Sequence, residues 1–271
     1  MRGLLIYDRS GAERNKWFVG RLIETANCRG CELELVIYED GIDEALTPLP
    51  DFAIVRTIHP ELNKRLEELL IPTYNNYVTS RIANDKWQTA LLACELGIPV
   101  MDTLPITEND KEETFYYPIV IKTVDGHGGT EVFWADNAQK CKQILSFLSG
   151  KSAIAQVPCD TPGIDTRVYV LGERIVAAVK RTSNNDFRSN FSLGGSAELI
   201  SPTEDMITVI DKLRKRLKFD LVGVDFIRHN GEWVLNEIED VVGTRMLYSL
   251  TDIDIADEYV KYIIERIKSK V

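Results

Sequence analysis

By polarity alone, the chain alternates two kinds of segment. Apolar runs appear at Gly3–Tyr7, Glu32–Tyr38, Phe52–Arg56, Pro118–Lys122, Val132–Ala135, Ala153–Gln156, Val168–Leu171, Arg174–Arg181, Leu221–Ile227 and Trp233–Ile238. Short runs bounded by Gly, Pro, Asn and Asp predict strands, and a further short strand is expected at Ile98–Met101. Between them, apolar residues recur at helical spacing. Asn15–Ala26 carries Trp17, Phe18, Leu22 and Ile23. Thr79–Gly97 reads as one helix, capped by Thr79 or Ser80 and stopped by Gly97. Asn137–Leu148, Met206–Lys218 and Ile255–Ile267 repeat the pattern, and a charged helix opened by proline spans Pro60–Leu70. Strands alternating with helices over residues 1–76 predict a small, mostly parallel α/β sheet.

The stretch Leu221–Arg245 organises the rest. Its two apolar runs are joined by His-Asn-Gly-Glu, a β-hairpin signal, and interrupted by Asp225, Glu237 and Glu239. Glu237 and Glu239, two apart, share one face of their strand. A plain two-residue Asn-Gly turn would set Asp225 opposite Asn236 and turn Glu237 away. An odd loop or a compensating bulge restores Asp225 and Glu237 to one side, and one of these is expected. A buried carboxylate is costly unless it is paired or holds a metal, and oxygen-only ligands suit Mg²⁺. The alternative is a surface hairpin with solvated acids.

Composition narrows the class. A chain of 271 residues allows two or three compact modules. A net charge of −10 disfavours nucleic acid and anionic membranes as main partners. No run reaches the ~18 apolar residues of a membrane span, and Met1–Asp8 has no signal-peptide pattern. Five cysteines without a secretory signal fit a reducing cytoplasm. Cys28 and Cys31 form a C-x-x-C with no second pair for zinc, and the three histidines have no ligand spacing.

Other segments suggest phosphate chemistry. Lys122 closes a strand, and Asp125-Gly-His-Gly-Gly-Thr130 follows. A glycine-rich turn between strands lets backbone N–H groups close on phosphate, although such turns also occur without ligands. There is no Walker A sequence and no G-x-G-x-x-G after the first strand. Asp8-Arg-Ser-Gly11 reads either as a ligand loop at a strand's carboxyl end or as an ordinary turn. The polar stretch Thr182–Ser196 is long for a structureless loop, which usually signals function or disorder.

Taken together, these pieces resemble the ATP-grasp ligases, in the branch of RimK-like and LysX-like enzymes. The resemblance rests on Asn84-Asp-Lys86, Pro118–Lys122, Gly126–Gly129, Gln156–Cys159, Gly163-x-Asp-x-Arg167, Phe187-Arg-Ser-Asn190 with Gly194-Gly195, Gly223-Val-Asp225 and Asn236-Glu-Ile-Glu239, in family order. It implies an α/β ATP-grasp fold. Residues 1–76 would be the N-terminal α/β domain, 77–157 a linker helix with the central subdomain, and 158–271 the C-terminal subdomain. ATP would be clasped with two Mg²⁺ ions, Mn²⁺ being a substitute. Lys86 and Lys122 would hold the phosphates, and Gly126, His127, Gly128 and Gly129 would close over them. Gln156, Val157 and Cys159 would meet adenine, with the Cys159 N–H as donor, since Pro158 has none. Asp165 would take the ribose hydroxyls. Asp225, Glu237 and Glu239 would bind the metal, Glu239 standing where the family usually has Asn. Arg188, with Arg167 and Lys180, would face the reacting centre. Asp8–Gly11, Arg56, Arg188 and Asn190 would line the acceptor site.

The implied activity is ADP-forming ligation of a carboxylate to an amine through an acylphosphate, on small amino-acid or peptide substrates. It would take place in the cytoplasm, in a homo-oligomer (dimer or tetramer), without nucleic acid or membrane. The competing readings are a phosphotransferase on the same scaffold and a nucleotide-binding module without catalysis.

Overall fold

The computed structural model describes residues 1–107, 110–127, 131–148, 150–183, 187 and 195–269. Arg188, Asn190, Gly128 and Gly129 lie outside the described residues. Three sheets account for the predicted runs.

The first is parallel, in the order β2-β1-β3-β4, with β1 at Arg2–Tyr7, β2 at Glu32–Ile37, β3 at Phe52–Val55 and β4 at Thr73–Tyr74. It is flanked by α1 (Arg9–Arg14), α2 (Lys16–Cys28) and α3 (Pro60–Glu68). Asp8 starts α1 by accepting from the Gly11 N–H at 2.7 Å, so this strand-end turn is a helix cap.

The region read as a single helix is two. Helix α4 (Tyr77–Ala83) is capped by Asn76 and α5 (Lys86–Glu95) by Asp85, which accepts from the Gln88 N–H. Between them the Asn84 side chain donates back to the Ser80 carbonyl at 2.8 Å, closing the first helix. Capping Asn and Asp in the middle of a helical pattern favour a restart over continuation. The expected strand at Ile98–Met101 is reduced to an isolated bridge between Val100 and Leu235.

The second sheet is antiparallel, in the order β5-β8-β6-β7, with β5 at Thr103–Ile106, β6 at Ile119–Thr123, β7 at Val132–Ala135 and β8 at Ala153–Gln156. Helix α6 (Ala138–Phe147) covers it through Cys141 and Ile144.

The third sheet carries the densest set of buried charged side chains. Its order is β11-β10-β9-β12-β13, all antiparallel, with β9 at Ile164–Leu171, β10 at Arg174–Thr182, β11 at Ser196–Ile200, β12 at Leu221–His229 and β13 at Glu232–Glu239. One face presents Val168, Val170, Val222 and Val224 to α7 (Glu204–Leu217), which inserts Met206, Val209, Ile210 and Leu213. Ile82 of α4 and Leu92 of α5 join the same core, so the linker helices pack on the C-terminal sheet. The other face is apolar near Tyr169, Leu171 and Leu221. There it packs with residues of α2, α8 (Arg245–Leu250) and α9 (Ile255–Lys268). Period-two alternation along these strands places the charged residues farther up that second face.

The hairpin turn is the two-residue form. His229 pairs with Glu232, and Asn230 and Gly231 have φ of 51° and 78°, the signs a type I′ turn needs. A bulge then corrects the register. Phe226 pairs with Leu235 but Asp225 pairs with Glu237, which leaves Asn236 as the extra residue. Asp225 and Glu237 thus come to one face by the compensating bulge.

Gly223 is required by close approach. A Cβ there would lie 2.8 Å from a Val242 methyl and 3.2 Å from Arg167 Cδ. Gly223→Ala is expected to cost about 1–3 kcal/mol, measured by urea denaturation; an unchanged midpoint would show that the neighbours yield freely.

Candidate active site

The upper face of the C-terminal sheet carries a continuous charged stripe across four strands. Arg181 pairs in register with Asp165, Arg167 with Asp225, and Asp225 with Glu237. Arg167 grips Asp225 with two bonds, Nε to Oδ1 at 2.8 Å and Nη2 to Oδ2 at 2.6 Å. The same Nη2 lies 2.6 Å from Glu239 Oε1. Arg181 grips Asp165 with two bonds of 2.5 Å and reaches Asp225 Oδ2 at 2.7 Å. Asp225 is fully buried. Burial alone would raise its carboxyl, but Arg167 and Arg181 outweigh that and hold it at about 2, against an ordinary 3.8. Glu239 moves upward, because burial and the neighbouring Asp225 and Glu237 outweigh the attraction of Arg167.

Asp225, Glu237 and Glu239 each offer an oxygen within 4.8 Å of the others. A convergent, oxygen-only donor set fits a hard divalent cation such as Mg²⁺. Both Asp225 oxygens are already engaged by arginines, which leaves Glu237 and Glu239 as the more available donors.

Across the cleft stand two lysines from separate elements. Lys86 is the first residue of α5; its backbone N–H bonds the Val124 carbonyl at 3.1 Å and its Nζ donates to the Gly126 carbonyl. Lys122 on β6 donates to Asn236 Oδ1 at 3.0 Å, so the bulge residue is also its anchor. Burial lowers the Lys122 ammonium, and Lys86 adds to this against the pull of Glu237. Gln156, Val157 and Cys159, leading out of β8, line the same cleft, and the Gln156 amide bonds the Thr103 hydroxyl at 2.8 Å. Burial pushes the Cys159 thiol up. Trp134 and Phe187 meet edge to face at 5.6 Å and supply an aromatic wall suited to a planar base.

One expectation is corrected here. Lys180 does not face the cleft: it sits one residue out of phase and pairs with Glu198 at 3.0 Å on the exposed side. Arg181 occupies the position it was expected to fill. Counting by twos from Arg167 through the β9–β10 register would have selected Arg181. Asp165, expected to take the ribose hydroxyls, lines the cleft and is gripped by Arg181. His127 lines the adjoining cavity, close enough to Lys86 and Glu237 of the cleft for their charges to act on it, and burial lowers its imidazole.

That second cavity lies against the N-terminal sheet and shares Arg167, Arg181 and Glu239 with the first. Asp8, Gly11 and Arg56 line it, with Arg14 and Arg245 in addition. Arg56 is 5 % exposed. Its Nη2 donates to the Val242 carbonyl at 2.7 Å, while its Nε has no hydrogen-bond partner among the described residues.

Known proteins are similar over most of the chain. The family described as a RimK-like ATP-grasp domain matches residues 83–263. A probable alpha-L-glutamate ligase of Pasteurella multocida (strain Pm70) is 33% identical over 208 residues, which cover 74% of this chain and 66% of that protein. The chain thus spans about two thirds of that relative's length. D-alanine–D-alanine ligase from Bacillus anthracis, solved with ATP, superposes with a TM-score of 0.76 at 15% identity, covering 100% of both chains. A RimK domain ATP-grasp protein from Sphaerobacter thermophilus DSM 20745 gives 0.74 at 18% identity, over 97% of this chain and 99% of that one. Both structural likenesses are of fold. Among the described residues no helix is long and apolar enough to cross a membrane.

Removing the Asp225 charge would leave two buried guanidiniums without their shared anion. Asp225→Asn is therefore expected to lose about 3–5 kcal/mol of stability, measured by urea denaturation without nucleotide; a loss under about 1 kcal/mol would show that the arginines re-pair. The sign in pH follows from the lowered carboxyl. Its stabilising contribution is present above pH 3.8 and is lost as pH falls toward about 2, and Asp225→Asn should lack that component.

Proposed function

We propose, for a chain that belongs to the RimK-like ATP-grasp family, that the paired cavities join a carboxylate to an amine at the expense of ATP. The observation that carries this reading is the meeting of the two lysines with three carboxylates in one cleft, whose arginine wall is shared with a second, basic cavity. The enzyme is a carbon–nitrogen ligase. ATP lies in the cleft with its base near Trp134 and Cys159 and its phosphates between Lys86 and Lys122, which act as point charges. A substrate carboxylate entering from the second cavity attacks the γ-phosphorus, and ADP leaves. The amine then attacks the carbonyl carbon of the acylphosphate, phosphate leaves, and the amine proton passes to solvent. The protein's share is positioning and charge neutralisation. Glu237 and Glu239, beside the arginine-bound Asp225, would hold Mg²⁺, two ions in this reading, and the metal would supply neutralisation of the phosphates.

The same reading extends to the substrate. Relatives are named probable alpha-L-glutamate ligases, and the acceptor cavity gathers Arg14, Arg56 and Arg245 in a chain of net charge −10. Glutamate as one substrate fits both facts, since guanidiniums lining a cavity favour carboxylates.

The test is phosphate release from ATP over pairs of amino acids and short peptides. Release should need both a carboxylate and an amine and be greatest with glutamate present; a stable phosphorylated product from one substrate alone would indicate a phosphotransferase. Arg56→Gln is expected to raise KM for the acidic substrate about tenfold, the value of one charge-assisted bond, with KM for ATP unchanged. ATP with Mg²⁺ should stabilise the parent protein by about 2.7 kcal/mol at a hundredfold excess over Kd, and Glu237→Ala should abolish the effect. No thermal shift in the parent would overturn the reading.

A further inference from the structure

Asp240 follows directly on the metal-binding strand, is 3 % exposed and has no part in the steps above. Its carboxylate accepts from Asn75 Nδ2 at 2.7 Å and Asn84 Nδ2 at 3.2 Å, and from the Ser80 hydroxyl. The orientation of both amides is fixed independently. Asn75 Oδ1 accepts from the Asp220 N–H at 2.8 Å, while its Nδ2 also donates to the Leu221 carbonyl at 2.9 Å. Asn84 Nδ2 donates to the Ser80 carbonyl at 2.8 Å. Neither amide can flip without breaking a bond to the backbone, so residue 240 must accept on both oxygens. Only a carboxylate of this length does so.

The connections define a geometry. Asn84 lies two residues before Lys86, at the junction where α4 ends and α5 begins. Asp240 lies one residue after Glu239 and three after Glu237. Asn75 bonds the Leu221 and Asp240 carbonyls, one from each strand of the hairpin segment. One buried carboxylate therefore ties the lysine-bearing helix to the acid-bearing strand, on the two sides of the phosphate site. We propose that Asp240 is a positioning residue that sets the separation between Lys86 and the Glu237–Glu239 pair. The proposal rests on the ligase reading and adds a residue to it.

The experiment uses the full chain. Asp240→Asn keeps the shape but places an N–H₂ against a fixed donor; Asp240→Ala removes both acceptors. Folded protein is compared for kcat, for half-saturating Mg²⁺ at fixed ATP, and for ADP binding in EDTA. Partners of this kind typically change metal affinity or activity about 10–100-fold. The expected result is a change of that size in kcat and Mg²⁺ requirement, with ADP binding in EDTA within about twofold of the parent. Asn84→Ala should act in the same direction. Combined with Asp240→Asn it should add less than its single effect, because the two share one bond. A purely structural role would lower the melting temperature and leave the constants per folded molecule at parental values, which would overturn the proposal. If Asp240 variants do not fold, Asn84→Ala and Ser80→Ala supply the same measurements, and parental kinetics in both overturn it equally. Parent protein that binds no Mg²⁺–ATP and releases no phosphate refutes the ligase reading itself, and the positioning role with it.

Discussion

The bidentate contact between Arg167 and Asp225 is the constraint on which the site depends. It lies between adjacent strands, in direct register, on a face that is otherwise apolar toward Tyr169 and Leu221. Burying either partner alone would cost several kcal/mol. Together with Arg181, Asp165 and Glu239 they form an alternating array in which each carboxylate meets a guanidinium. The array exists only because β10, β9, β12 and β13 are neighbours in that order, so the fold's topology and the site's electrostatics are one requirement. Gly223 belongs to the same requirement, since the Arg167 side chain passes over it to reach the acids.

The bulge at Asn236 shows how a single extra residue decides chemistry. Continued from the tight turn, the hairpin register would place Glu237 on the face packed by α7. The extra residue moves it to the charged face beside Asp225, and Glu239 follows by alternation. Asn236 itself is then free to receive Lys122 from a different sheet. The irregularity thus aims the acids and fixes a lysine opposite them, a function bulges serve near active sites.

Much of this was readable from residue order, because the cues are local. Apolar runs gave most strands of the three sheets, Asn-Gly gave the turn, and the need to place Asp225 with Glu237 implied an odd loop or a bulge. What was not readable depends on relations between distant segments. The choice between Lys180 and Arg181 needs the β9–β10 register, which adjacent residues do not specify. The break between α4 and α5 is a contest between helical periodicity and two capping side chains, and capping prevailed at Asn84-Asp85. The short strands β4, β5 and β11 carry little pattern and form by pairing. Asp240 gave no signal, since an acid beside acids looks solvated until its amide partners, more than a hundred positions away in sequence, are known.

Of the cations in the cleft, the arginines and lysines stand in different electrostatic states. Arg167 and Arg181 are saturated by carboxylates, so they shape the wall without adding much attraction for an incoming anion. Lys122 differs: it is partly buried, its ammonium donates to the neutral Asn236 amide oxygen at 3.0 Å, and desolvation lowers its proton affinity against the pull of Glu237. A desolvated ammonium so placed holds its proton less tightly than usual. An anionic phosphate beside Lys86 and Lys122 would offset that desolvation on arrival. In the proposed ligase the lysines, rather than the saturated arginines, supply the attraction for nucleotide phosphates. That division is what allows four acids on one face of the sheet to stand beside a polyphosphate.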